Sequence, residues 1–130
     1  MGILEFDLEG AGTSAELHIQ CPFRVLHDEQ LVLGSDDMSY PGKRRSDSDA
    51  EESYKSMFDR KCAALNKIIE EAEPRVMDID LRSGGALELR LTLSLQVQVF
   101  PDCSGKVEMW RFFVRGDDDH TVYPPDLFTP

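Results

Sequence analysis

The sequence predicts an α+β fold: a mainly antiparallel β-sheet of about seven strands with one amphipathic helix packed on one face. Three observations carry this. Apolar and polar residues alternate at period two along most of the chain. One stretch ending at Pro74 switches to three- and four-residue steps. The strands are separated by short polar turns of hairpin size, which suit antiparallel pairing. The 130 residues match the length of one domain, and residues 1–130 are read as one, with an exposed loop over 38–50. A chain of this size can bury about two-thirds of its unfolded surface, so its core needs no staples.

The first strand is read over residues 4–9, where Leu4, Phe6 and Leu8 alternate with Glu5, Asp7 and Glu9. Gly10 to Ser14 is turn chemistry. Alternation resumes with Leu17, Ile19, Cys21, Phe23 and Val25 on one face, and Pro22 on the other marks this strand as an edge or a bulge, because proline cannot donate to a ladder. His27 to Gln30 turns the chain, Leu31 to Leu33 returns as a short strand, and Gly34 to Asp37 closes it. Ser48 with Glu51 fits a capping box for the next element. Tyr54, Met57, Phe58, Cys62, Leu65, Ile68, Ile69 and Ala72 then make one face of a helix of about five turns, which Pro74 ends.

The second half reads as strands. Met77, Ile79 and Leu81 alternate with acids, and Ser83-Gly84-Gly85 turns. Every odd residue from Leu87 to Val99 is aliphatic; as one strand this run would span roughly 43 Å, longer than most. A hairpin over Thr92–Leu95 would shorten it, yet no Gly or Asn marks one, and both readings stay open. Pro101 to Gly105 turns. Val107 to Val114 is a strand with Trp110 in the core and Arg111 facing away. Gly116 to Asp119 turns, and Thr121 to Tyr123 is the last strand.

Twenty-five carboxylates face fourteen Lys and Arg, a formal net charge of −11. Such a chain repels nucleic acid and anionic membranes and suits a basic protein partner. The one basic run, Lys43-Arg44-Arg45, is followed at once by acids. Three cysteines are too few and odd in number for a disulfide scaffold, no apolar leader opens the chain, and no run is long enough for a membrane span. A cytoplasmic location is expected.

Asp36-Asp37 and the run Asp117-Asp118-Asp119-His120 resemble metal ligands at first sight. No calcium-loop spacing follows them, and adjacent carboxylates in a turn mostly face water, so no metal is predicted. His18 and Cys21 stand three apart and point to opposite faces, which removes a local zinc half-site. Cys21 and Cys62 lie on apolar faces as buried thiols, whereas Cys103 sits in a turn. Nucleophile elbows and phosphate loops are absent from the sequence. A catalytic role would need His18, His120 and carboxylates to converge on one cleft; no enzyme activity and no cofactor are expected.

Three stretches carry a resemblance: Leu17-His18-Ile19-Gln20-Cys21-Pro22-Phe23-Arg24-Val25; Val32-Leu33-Gly34-Ser35-Asp36-Asp37; and Val97-Gln98-Val99-Phe100-Pro101-Asp102 with Glu108-Met109-Trp110-Arg111-Phe112-Phe113. Across residues 15–37 and 76–123 the chain resembles, in size, acidity and strand-rich layout, small bacterial immunity proteins of polymorphic and contact-dependent toxin systems. The resemblance implies a β-rich fold with a helix, no catalytic residues, and neutralisation of a cognate toxin by occlusion. A basic nuclease toxin would meet the acidic turns, so Asp36, Asp37, Asp117, Asp118 and Asp119, with Glu51 and Glu52, are the expected partner-binding residues. The alternative is a general interaction or regulatory module without catalysis, with self-association through an exposed strand edge as one form of it.

Overall fold

A computed structural model describes residues 1–42 and 55–125. Its strands are β1 (Gly2–Leu8), β2 (Thr13–Ile19), β3 (Phe23–His27), β4 (Gln30–Gly34), β5 (Val76–Leu81), β6 (Leu87–Leu91), β7 (Leu95–Val99), β8 (Trp110–Val114) and β9 (Thr121–Tyr123), with the helix α1 (Met57–Ala72) between β4 and β5. They form two antiparallel sheets, of order β1-β2-β8-β9 and β4-β3-β7-β6-β5. The α+β class is as the sequence predicts, but nine strands stand where seven were read. Two long alternating runs each break once.

The first break is at Pro22. Gln20 N–H donates to Met109 O at 2.7 Å, the last bond of the four-stranded sheet, and Phe23 opens β3 in the other sheet with its N–H on Ser35 Oγ at 3.0 Å. Pro22, lacking an N–H, sits at the crossing between sheets and keeps only its carbonyl in use, accepting from Phe100 N–H at 2.8 Å. It marks neither an edge nor a bulge. The second break is the hairpin at 92–94: Leu91 faces Leu95, and Leu93 and Ser94 take φ of 65° and 55°. A third correction concerns Val107, which is exposed and precedes β8.

One core joins the layers. Leu17, Ile19, Met109 and Trp110 come from the four-stranded side; Phe23, Val25, Leu33, Leu87, Leu89, Leu95, Val97 and Val99 from the five-stranded sheet; Leu65 from α1; and Cys21 from the crossing. Each such aliphatic or aromatic side chain contributes roughly 1.5–3 kcal/mol by leaving water. Two contacts at the ends of β1 tie the layers together. Gly2, at the start of β1, sits on the Phe23 ring of β3, while Glu9, just past its end, holds Arg75 at 2.6 Å beside the start of β5. At the other flank Trp110 Nε1 donates to Gly85 O at 2.9 Å, and the Tyr123 ring, stacked on Trp110, rests against Gly85.

The helix starts later than the capping box suggests. Ser56 is its N-cap, with its Oγ accepting from Asp59 N–H at 3.2 Å; Ser48, Glu51 and Tyr54 lie outside the described residues. Its end is as the sequence predicts, with Glu73 in the left-handed region before Pro74. Phe58, Cys62 and Ile69 pack on the core, Phe58 edge-on to Phe23 at 5.9 Å, and α1 lies against β4. Of the predicted loop, residues 38–42 are described, and Pro41 bridges to Ser56. Among the described residues no helix is long and apolar enough to cross a membrane.

Candidate functional site

The acidic turns fall on different sheets. Asp36 and Asp37 lie in a 3-10 turn (Ser35–Ser39) after β4. Asp36 is exposed, but Asp37 Oδ2 accepts from Gly34 N–H at 3.0 Å and serves its own turn. Asp117, Asp118 and Asp119 join β8 to β9 and are all exposed, Asp117 Oδ1 accepting from Asp119 N–H at 3.0 Å. The two turns are not brought together, and Glu51 and Glu52 lie outside the described residues.

The outer face of the four-stranded sheet carries a network that sequence reasoning missed. Register sets Glu16 beside Phe113 and His18 beside Arg111. The Phe113 ring is stacked on His120 at 4.5 Å and meets the His18 edge at 5.1 Å. His18 Nε2 lies 2.9 Å from Glu16 Oε1, and Arg115 Nε donates to Glu16 Oε2 at 2.6 Å. The histidine contact first, then the guanidinium, holds the Glu16 carboxyl below its usual range. Arg111 donates to Glu108 at 2.6 Å and to His120 Nδ1 at 2.8 Å. The two histidines therefore do share a face with carboxylates. That face is an open sheet surface, Phe113 stands between the two rings, and each charged group already has a partner in the chain. Among the described residues no cluster of His, Cys, Asp and Glu could hold a metal ion. The one sequence signal was Phe113, an apolar residue on the polar side of its strand.

The cysteines divide as their surroundings dictate. Burial, and then Asp102, push the Cys21 thiol up to about 11. Burial also raises the thiol of half-buried Cys62, and Cys103 is exposed. A buried neutral thiol is a poor nucleophile.

The largest departure from expectation is β5. Its alternation predicts a half-buried strand, yet every apolar side chain on it is exposed: Ile79 at 60%, Leu81 at 61% and Met77 at 68%, with Val76 less so. Ile79 and Leu81 stand opposite Leu89 and Leu87, both buried, so they continue the inner face of the sheet beyond the layer that covers it. β5 is also an edge strand. Arg82 N–H donates to Ala86 O at 2.9 Å, so by the two-residue repeat Asp80 and Asp78 also face β6, and the main-chain groups of Ile79 and Leu81 point away from the sheet. Their partners on the outer face are ionic: Arg82 holds Asp80 at 3.0 Å and Arg90 holds Asp78 at 2.9 Å.

No protein-family model, curated protein or solved structure matches the chain.

Proposed function

We propose that this protein is a non-catalytic protein-interaction module whose docking element is β5. The observation that carries the reading is the coincidence, on one strand, of a sheet edge that no described residue pairs with and an exposed apolar row. Proteins protect edges by shortness, charge or cover. β9 has three residues, β1 carries Glu5 and Asp7 on its outer face, and β4 lies against α1. β5 also carries charge on its outer face, where Asp78 and Asp80 are held by arginines, but unlike the other edges it leaves its inner apolar row exposed, with Ile79 and Leu81 uncovered among the described residues. A strand of that kind accepts another strand: main-chain hydrogen bonds supply affinity, and apolar side chains supply register. A photo-crosslinking side chain at Ile79, in the source cells, should form a discrete adduct. The same group at Leu31, 62% exposed on the opposite edge, should not. No adduct at 79, or the same adducts at both positions, would refute the reading.

The charge favours a second reading, an immunity-type protein that occludes a basic toxin. Its support is the net charge of −11 and the exposed run Asp117–Asp119. Reversing the three aspartates to lysine should slow association with that basic partner, and raising salt should do the same. An association rate indifferent to both would remove this reading.

A further inference from the structure

Resting on the reading of β5 as the docking element, we infer that its occupant is a second copy of this chain, paired antiparallel about a two-fold axis through Asp80. Main-chain direction limits the choices. An outward residue must face an outward residue, so the axis passes through a residue and not between two. Centring on Ile79 would set Asp78 against Asp80 of the other copy twice, and like charges directly opposite one another destabilise a sheet. Centring on Leu81 would set Ile79 against Ser83, where the strand has already given way to the turn.

The axis through Asp80 avoids both faults. It places Ile79 opposite Leu81 of the other copy, twice, and each of these pairs exchanges two main-chain hydrogen bonds. The four exposed aliphatic side chains then meet in one cluster on the inner face. On the outer face Asp78 stands opposite Arg82 of the other copy, also twice. The cost is one facing pair of Asp80 carboxylates, each already held by its own Arg82 at 3.0 Å. The two five-stranded sheets become one continuous sheet, an isologous closed dimer with both β5 edges consumed.

The register is testable by charge reversal. Asp78→Arg makes both cross-copy pairs Arg against Arg, and Arg82→Asp makes both Asp against Asp. Each variant alone should weaken self-association about tenfold. Mixed together, the two variants form a heterodimer in which every such pair is again opposite in sign, and the dimer mass should return in light scattering. The single tryptophan fluorescence verifies that each variant is folded. A wild-type chain that stays monomeric at its highest soluble concentration overturns the inference. In that case the crosslinking adduct at Ile79 separates the two failures: an adduct with another protein leaves β5 as a docking strand, and no adduct removes that reading too. A dimer indifferent to both charge variants, or variants not rescued by mixing, overturns the two-fold register.

Discussion

Gly85 is the position where a single methyl group should do the most harm for its size. Its φ is +81°, a region that costs an L-residue about 1–2 kcal/mol. A Cβ there would collide with the Tyr123 ring. The ring cannot simply move aside, because it is stacked on Trp110 at 5.9 Å with an interplanar angle of 16°, and Trp110 in turn donates to Gly85 O. Displacing it gives up roughly 0.5–1.5 kcal/mol of aromatic contact and forces a side chain off its rotamer for about as much again. Gly85→Ala should therefore destabilise the fold by about 2–5 kcal/mol.

Gly84→Ala is the internal control. Its φ is +75°, yet no atom lies within 4 Å of the added methyl, so only the backbone cost of about 1–2 kcal/mol applies. Urea unfolding read by the lone tryptophan measures both variants on one scale, since a chain this short usually unfolds in one step. Adding Tyr123→Ala should remove the steric part, so the double variant should be less unstable than the sum of the singles by about 1–3 kcal/mol. Equal losses for Gly84→Ala and Gly85→Ala, or strict additivity with Tyr123→Ala, would refute the account of how β5–β6 docks on β8–β9.

Two further predictions follow from local chemistry. The Cys21 thiol ionises from 9.0 in the unfolded chain but only at about 11 in the folded one, so folding stability should fall as pH rises through that window, by at most about 3 kcal/mol. Cys21→Ala should flatten that slope relative to the wild type, and identical slopes would refute burial as its cause. In the 92–94 hairpin, replacing Leu93 by Asn and Ser94 by Gly relieves two left-handed residues and removes an exposed leucine. It should stabilise the fold by about 1 kcal/mol in the same urea assay, and a loss of stability would mean that Leu93 packs in a way its exposure does not reveal.

What the sequence made legible was periodicity, and what it hid was partnership. The class, the helix face and the inward rows of Leu17, Ile19, Val97 and Val99 follow from spacing alone, because alternation puts all the apolar side chains of a strand on one side. The hairpin at Leu93 and Ser94 was hidden because it uses neither Gly nor Asn; its left-handed residues are held by context, Ser94 O accepting from Asp28 N–H in the neighbouring turn. The His18–Phe113–His120 face was hidden because register between β2 and β8 joins residues nearly a hundred positions apart. β5 is the instructive case. The alternation of Met77, Ile79 and Leu81 states that an apolar face exists; it does not state what lies over it. Within one chain the four-stranded layer ends short of that face, and the side chains remain in water at a cost of about 25 cal/mol per Å² of uncovered apolar surface. In the proposed dimer a second copy across the Asp80 axis would remove much of that cost. The alternation would then describe an interior after all, one belonging to the pair rather than to the single chain.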